Sequence, residues 1–295
     1  MHNAVKTALE SDALNTKESE IAFFGGSFTA IDKDYMISLL SAAKEYLPFF
    51  KGIRISTRPD RIDKNILNIL KYYGVTSIEL GAQSMSDEVL QKNNRGHNSD
   101  CVRKASQLIK ENGFSLGLQM MTGLYGSTLK TDMYTATEFV KIAPDTVRIY
   151  PTVILENTEL ANLYKSGLYN SYSLEESVSL CAELIPLFEQ NNISVIRVGL
   201  HSSDTMESKI LAGAYHPAFR ELCENKIFLN KIISTLTSSG LPKGKVTVYV
   251  AKDAVSKASG QKKKNISDLK ALGYDVKIST DEKLCGRHIT IQEGY

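Results

Sequence analysis

Polar residues that follow apolar runs are the first candidates for chemistry in this sequence. Gly25-Gly26-Ser27 comes directly after the run IAFF, and glycines at a strand end let the backbone approach a ligand and offer it N–H and C=O groups. Gln83 and Gln119 carry neutral amides, which can hold hydroxyls or a carboxylate. Arg95 carries a guanidinium, which can grip a carboxylate at two points. Together they predict a site for a small polar ligand, although a tight turn, core amides and a solvated arginine would explain each one separately.

Several other chemistries have no motif in this chain. The four cysteines are too far apart for a CxxC-type pair and the histidines form no HxxxH or HxH pair, so the sequence predicts no metal site. No Ser/His/Asp set, GxxxxGK loop or strand-linked GxGxxG occurs, which leaves the catalytic residues unassigned. Scattered thiols are typical of a reducing cytosol, and no apolar run approaches the ~20 residues that span a bilayer, so we expect a cytoplasmic protein without a membrane partner. The cysteines are Cys101, Cys181, Cys223 and Cys285.

Short apolar runs alternate with amphipathic stretches through the first two-thirds of the chain. The predicted strands are Ile21–Phe24, Ile53–Ser56, Ser77–Gly81, Leu116–Met121, Thr146–Tyr150 and Ile193–Val198. The predicted helices are Tyr35–Tyr46, Lys64–Tyr73, Asp87–Asn112, Thr131–Ile142 and Leu174–Gln190. This alternation indicates an α/β fold with parallel strands and crossover helices. Polar residues follow nearly every strand, which favours a barrel, where all βα loops converge, over an open sheet, where only the switch point is functional.

The C-terminal part of the chain differs from the rest in charge and in pattern. Residues 226–295 carry 13 Lys and Arg against 6 Asp and Glu, whereas residues 1–225 carry 22 against 27. We therefore expect two domains, 1–225 and 226–295, the second able to meet a polyanion. A surface merely solvated by lysines is the alternative. A helix at 226–239 is predicted to precede a β-α-α-β unit with elements at 246–250, 254–259, 266–272 and 276–279.

An ordered set of segments covers nearly all of residues 20–230. The segments are AFFGGSF (22–28), STRPD (56–60), IELGAQSMSDEVLQKNNRGH (78–97), LGLQMMTGLYGST (116–128), VRIYPTVILENTEL (147–160) and AGAYHPAFRELCENKIF (212–228). Together they resemble the radical S-adenosylmethionine superfamily, in the branch related to the catalytic subunit of Elongator and its short bacterial members. The resemblance implies a partial TIM-type barrel that binds S-adenosylmethionine at its strand ends.

The same resemblance implies roles for the candidate residues. Gly25-Gly26-Ser27 matches the glycine motif that holds the methionine amino group of the cofactor. By similarity to the oxygen-independent coproporphyrinogen oxidases, Gln83 and Arg95 match the glutamine and arginine that contact the cofactor. Gln119 stands where those relatives carry an aspartate.

The cluster-binding motif of the family is missing from this chain. Members place CxxxCxxC after the first strand and ahead of the glycine motif, where its thiolates hold a four-iron four-sulfur cluster that an electron donor reduces. The residues before Gly25 contain no cysteine and are similar to the helix that follows that strand. Without thiolate ligands no inner-sphere electron source exists for cleavage of the sulfonium. We therefore expect a truncated, cluster-free form whose barrel lacks its first strand, with a naturally cluster-free protein as the alternative.

The C-terminal segment VTVYVAKDAVSKASGQKKKNISDLKALGYDVKIS (246–279) resembles a KH RNA-binding unit. Gly260-Gln261-Lys262-Lys263 stands where that family has its GxxG loop, with Lys263 in place of the second glycine. The resemblance implies that Lys262, Lys263 and Lys264 contact RNA phosphates with a salt-dependent affinity. A degenerate KH-like fold used only for packing is the alternative.

These patterns lead to one functional reading and two alternatives. The first is an enzyme-like radical S-adenosylmethionine protein that acts on RNA, such as tRNA, represented here without its cluster segment. The second is a non-catalytic RNA-binding or scaffold protein that retains the barrel. An unrelated barrel lyase or aldolase is disfavoured, because no Schiff-base lysine or metal set is evident.

Overall fold

The computed structural model, which describes residues 1–11, 14–201 and 207–294, contains the six predicted strands in one parallel sheet. Apart from the short β6 (Val153–Leu155), which lies outside this sheet, its strands follow one another in chain order, as in a barrel. An open doubly wound sheet would reverse its strand order at a switch point. The strands are β1 (Glu20–Phe23), β2 (Gly52–Thr57), β3 (Val75–Gln83), β4 (Ser115–Thr122), β5 (Thr146–Pro151) and β7 (Ser194–Val198).

Helices cover one face of the sheet and begin at residues suited to capping. Asp63 accepts a hydrogen bond from the Ile66 amide at 2.8 Å, and Ser173 forms a capping box with Glu176. None of the described helices combines the length and the apolar run that crossing a bilayer requires. The helices are α1 (His2–Leu9), α2 (Lys33–Lys44), α3 (Lys64–Tyr72), α4 (Asp87–Lys92), α5 (Ser99–Glu111), α6 (Leu129–Ile142), α7 (Glu159–Lys165) and α8 (Leu174–Gln190).

The two faces of the sheet differ in chemistry, because successive side chains of a strand point to opposite sides. Along β3, Ile78 and Leu80 join the hydrophobic core beneath the helices, whereas Glu79 lies on the other face. The sheet curls around that polar face, since the ring of Phe24, just after β1, lies 4.7 Å from the guanidinium carbon of Arg148 on β5. The barrel prediction is confirmed: the sheet is a half-barrel of the TIM type.

One predicted helix is wrong in extent. The stretch Asp87–Asn112 forms two helices, α4 and α5, with a loop at 93–98 between them. Asn94 and Gly96 have positive φ angles of 50° and 72°, which a helix does not allow, and Asn98 caps α5 by accepting from the Cys101 amide.

Some short elements escaped the sequence pattern. The strand β6 pairs with β8 (Ile210–Gly213) as an antiparallel ribbon, and neither was predicted. The helix α7 and the last strand, β11 (Ile289–Glu293), were also missed. All of them are too short to show a hydrophobic period.

A second hydrophobic cluster organises the C-terminal part. Its elements are α9 (Phe219–Ser239), β9 (Gly244–Val250), α10 (Val255–Ser259), α11 (Lys264–Ala271), β10 (Tyr274–Thr280) and β11. The first cluster extends to Ile227 and the second begins at Phe228, so both include residues of α9, which starts at Phe219 rather than at 226. The predicted β-α-α-β order is present; β10 pairs with β9 in parallel and β11 pairs with β9 antiparallel.

Buried polar contacts fasten this unit to the half-barrel. The guanidinium of Arg287, between β10 and β11, donates two bonds of 2.7 Å to Glu224 on α9 and also binds Glu189 on α8. Asn265 of α11 donates to the carbonyl of Asn225 at 2.8 Å. Glu224 and Asn225 both belong to α9, the helix that the two hydrophobic clusters share.

A buried carboxyl holds the loop after β4. Asp132, in the first turn of α6, is only 2% exposed and accepts a hydrogen bond of 2.9 Å from the Gly123 amide. The Tyr169 hydroxyl donates to the carbonyl of the same glycine. Burial raises the pKa of Asp132 to about 7, although the hydrogen bond from the Gly123 amide acts to lower it.

Replacing Asp132 with Asn should flatten the pH dependence of stability. Because burial raises the folded-state pKa of Asp132 above its usual 3.8, the contribution of Asp132 to wild-type stability falls as the pH rises from about 4 to about 7 and is then constant. Asn still accepts the Gly123 bond but carries no charge. Above about pH 7 the variant should therefore be more stable by on the order of 2–4 kcal/mol, with no difference near pH 4.

Urea unfolding across this pH range measures the effect. Asp60→Asn is the matched control, because the Arg58 guanidinium lowers the pKa of Asp60. That variant should lose stability at neutral pH, and its deficit should shrink on acidification. Parallel stability curves for wild type and Asp132→Asn would contradict the assignment.

Candidate ligand-binding site at the strand ends

A polar cavity of about 260 Å³ opens at the carboxyl ends of the first four strands. Its walls come from the loop after β1, the ends of β2 and β3, the interior of β4 and the loop between α4 and α5. The lining residues are Gly26, Ser27, Ser56, Thr57, Arg58, Gly81, Gln83, Asn94, Arg95, His97 and Gln119.

The structure brings together five of the six residues predicted for a small ligand. Gly26, Ser27, Gln83, Arg95 and Gln119 line the cavity, whereas Gly25 does not. Gly25 has a φ of +104°, so it makes the turn that carries the next two residues to the cavity wall. A Cβ added at Gly26 would meet no atom within 4 Å, so its backbone lies beside open space.

Gln83 ends β3 in a strained conformation. Its φ of 65° lies in the left-handed region, and the pairing of β3 with β4 shifts register between Leu80 and Gln83. The side chain folds back over Gly81, whose added Cβ would stand 2.8 Å from Nε2 of Gln83. Strain of this kind in a non-glycine residue is common at functional sites.

The loop between α4 and α5 holds Arg95 at the cavity. Asn93 donates to the carbonyls of Val89 and Tyr125 at 2.7 and 2.9 Å. His97 Nε2 lies 3.2 Å from the carbonyl oxygen of Ala82 on β3. The break in the predicted helix is therefore what places the arginine in the wall.

The guanidinium of Arg95 has no carboxylate partner among the described residues. Its Nη2 lies 3.3 Å from the sulfur of Met121, a weak acceptor, and its Nε is buried without a partner. Burial lowers the pKa of Arg95. A desolvated cation beside a polar cavity is suited to a carboxylate or another anion, which would supply the missing charge.

Gln119 is hydrogen-bonded to Glu79, an acidic residue that the sequence analysis did not identify. Its Nε2 donates to Glu79 at 2.8 Å and to the Ser56 hydroxyl at 3.1 Å. The Glu79 carboxylate also receives bonds from Arg148 at 2.7 and 2.9 Å and from Arg54 at 3.2 Å. A network of one buried carboxylate and two guanidiniums thus lies beneath Gln119.

Two further lining residues were not singled out from the sequence. His97 lines the same cavity as Arg95, and its Nδ1 is buried without a hydrogen-bond partner. Arg58 is bound at two points to Asp60, at 2.8 and 2.9 Å. Both belong to segments already quoted, RPD and RGH, and only the folded loop shows that the two segments meet.

The described residues offer no site for an iron–sulfur cluster. No group of three His, Cys, Asp or Glu suited to a metal occurs among them, and all four cysteines are free. Cys181 on α8 hydrogen-bonds with Cys223 on α9, which together with burial raises its pKa, while Cys285 is exposed. None of the cysteines lines the cavity, so such a cluster does not fit these residues.

A larger cavity of about 1010 Å³ lies outside the strand ends, between α6 and α8 on one side and α9 and α11 on the other. Apolar residues such as Met133 and Leu229 line it, together with charges of both signs. Of the predicted site residues only Lys264 belongs to it. Convergent polar groups, rather than volume, identify the smaller cavity as the candidate site.

The three predicted RNA-contacting lysines lie at the start of α11. All are exposed, and Lys262 and Lys263 have positive φ angles of 52° and 61°. Lys264 forms an ion pair with Asp268 at 3.3 Å. Their role in RNA binding stays a prediction.

Comparison with protein families assigns the class of this protein. The profile described as "Radical SAM superfamily" matches residues 6–136, and the profile "Radical_SAM C-terminal domain" matches residues 144–228. Together they cover most of the chain, which therefore belongs to the radical SAM superfamily.

Within that superfamily the chain is similar to Elongator-type proteins. It is 38% identical over 139 residues to Elongator complex protein 3 of Homo sapiens, covering 46% of this chain and 25% of that protein. It is 29% identical over 231 residues to the Dictyostelium discoideum protein of the same name, covering 71% and 41%. It is 35% identical over 132 residues to the tRNA uridine(34) acetyltransferase of Methanocaldococcus infernus, covering 43% and 24%. The chain thus spans less than half the length of these relatives.

A solved structure supports the same assignment. The archaeal Methanocaldococcus infernus Elp3 with an N-terminus deletion matches with a TM-score of 0.65 and 25% identity, covering 81% of this chain and 58% of that one. The predicted resemblance to the Elongator branch is confirmed.

Replacing Arg95 with Met should stabilise the ligand-free protein by about 1 kcal/mol, because it removes a desolvated cation without a counter-charge. Arg58→Met is the control, since it breaks an ion pair with Asp60 and should leave stability unchanged or lower. Urea unfolding measures both. Destabilisation by Arg95→Met equal to or larger than that of the control would show that Arg95 supports the fold rather than a ligand.

Proposed function

We propose that the cavity at the strand ends binds S-adenosylmethionine and that the chain is the cofactor-binding barrel of a radical SAM protein acting on tRNA in the cytoplasm. The guanidinium of Arg95, which has no carboxylate partner among the described residues and lies in one wall with two amides and the glycine turn, carries this proposal. The four cysteines are all free, which is consistent with a reducing compartment.

Each group in the wall suits a different part of that cofactor. Arg95 would bind the methionine carboxylate, and the backbone at Gly26 and Ser27 would receive the amino group. Gln83 and Gln119 would bind hydroxyl or amino groups of the adenosyl part. S-Adenosylmethionine supplies a sulfonium carbon–sulfur bond that an electron from an iron–sulfur cluster can break. The described residues would bind and orient the ligand, and they contain no ligand set for the cluster.

The tRNA part of the proposal rests on the relatives and on charge. One relative is named tRNA uridine(34) acetyltransferase, and the C-terminal unit presents exposed lysines at the start of α11. Because the chain spans only part of such relatives, their whole activity and their partners do not transfer to it automatically. The β9-α10-α11-β10 unit would contact RNA phosphates, as a KH-like unit does.

A second candidate is a non-catalytic RNA-binding scaffold that keeps the barrel. The absence of a three-residue metal set from the described part of the chain favours it. The two candidates differ in redox chemistry but share the ligand cavity, so binding measurements test what they have in common.

The wild-type chain should bind S-adenosylhomocysteine, and Arg95→Met should weaken that affinity by about 10- to 100-fold, through loss of a charged hydrogen bond. The affinity for 5′-methylthioadenosine, which has no carboxylate, should change by less than about twofold. Isothermal titration calorimetry measures both ligands on both proteins.

Arg103→Met is the matched control, because Arg103 is bound to Glu138 and lies outside the cavity. It should leave both affinities intact. Equal losses for the two ligands with Arg95→Met, or no binding by wild type, would overturn the proposed ligand.

Replacing Lys262, Lys263 and Lys264 with Ala should weaken tRNA binding and lower the slope of log affinity against log salt by up to about 2. The control replaces three exposed lysines of the barrel helices, Lys33, Lys64 and Lys165, and so removes the same charge. Filter binding over a salt series measures both. Identical slopes for the two triple variants would remove the C-terminal loop from the RNA contact.

A further inference from the structure

Glu79 of β3 binds residues from three other strands on the concave face of the half-barrel. Its side chain, projecting from β3, is 1% exposed. It receives hydrogen bonds from Arg54 on β2, Gln119 on β4 and Arg148 on β5. Only Gln119 among these partners also lines the cavity, so Glu79 reaches the cavity through that amide.

The orientation of the Gln119 amide follows from its two partners. Nε2 donates to Glu79 at 2.8 Å and to the Ser56 hydroxyl at 3.1 Å. A carboxylate balanced by two guanidiniums only accepts hydrogen bonds, so the amide must turn its NH₂ toward Glu79. Both amide protons are then in use, and the carbonyl oxygen is the atom left for a ligand.

A glycine makes this arrangement possible. A Cβ added at Gly117 would lie 2.7 Å from Cγ of Glu79 and 2.9 Å from the Thr146 hydroxyl. The Glu79 side chain therefore passes over β4 at Gly117, the one residue of that strand without a side chain. Gly117 precedes Gln119 by one step on the same face of that strand, which brings the acid beneath the amide.

Building on the proposed function, we infer that Glu79 is a positioning residue that fixes Gln119 as a hydrogen-bond acceptor toward the adenosyl part of the ligand. A free glutamine can present either a donor or an acceptor to a ligand. The buried Glu79 carboxylate removes this ambiguity, because it holds the NH₂ group of Gln119 and leaves the carbonyl oxygen for the ligand. The groups it would recognise are hydroxyl or amino donors of the nucleoside.

The decisive comparison uses the two carboxylates of the network. Glu79→Gln replaces the fixed acceptor with an amide, which can pair with Gln119 in either orientation. Glu20→Gln is the matched control: Glu20 binds Arg54, Thr76 and Ser77 but neither touches Gln119 nor lines the cavity. Both variants remove one negative charge near Arg54, so both should lower the urea midpoint.

Only the first variant should affect the ligand. In calorimetry with S-adenosylhomocysteine, Glu79→Gln should lower the affinity about tenfold and Glu20→Gln less than about threefold. The exchanged pair Glu79→Gln/Gln119→Glu should recover to within about threefold of wild type, because a carboxylate at 119 can only accept and amide 79 can donate to it.

The outcomes separate this inference from the proposed function. Wild-type binding with equal losses in the two single variants, or an exchanged pair as weak as Glu79→Gln, would overturn the positioning role while leaving the ligand in place. No wild-type binding would overturn the proposed ligand, and the inference with it. Selective loss together with recovery in the exchanged pair would support both.

Discussion

The half-barrel depends on a buried carboxylate that must find its counter-charges on other strands. Glu79 is inside the concave face, where an unpaired charge would cost several kcal/mol. Arg54 and Arg148 supply the balance from β2 and β5, so these strands must keep their register with β3 for the charge to be tolerated. The network therefore constrains the curvature of the sheet, and the curvature brings the strand ends around one cavity.

The sequence predicts what depends on local periodicity and misses what depends on distant pairing. The alternation of Ile78 and Leu80 with Glu79 is visible in β3, and the six strands follow from such runs. The two charged partners of Glu79 lie 25 and 69 residues away, so no spacing rule connects them to it. The apolar period continues from α4 into α5, which hides the loop that carries Arg95.

The cavity itself was partly predictable, because parallel strands gather their carboxyl ends at one edge. That rule brings Ser27 and Gln83 together. It does not apply to His97 and Arg95, which follow a helix rather than a strand and reach the wall through loop contacts with Ala82 and Tyr125.

The loop before α11 contains backbone strain that packing against the core does not explain. Gly260 has a φ of +76°, and a Cβ there would lie 2.8 Å from the Asn265 side chain, so this glycine is required by contact. Lys262 and Lys263 also adopt left-handed angles, which cost roughly 1–2 kcal/mol per residue without a glycine, yet both are exposed. A strained pair of exposed cations gains nothing from the core. Contact with the polyanion proposed above would offset that cost, so the proposal assigns the RNA contact to this loop rather than to the other basic elements of the unit.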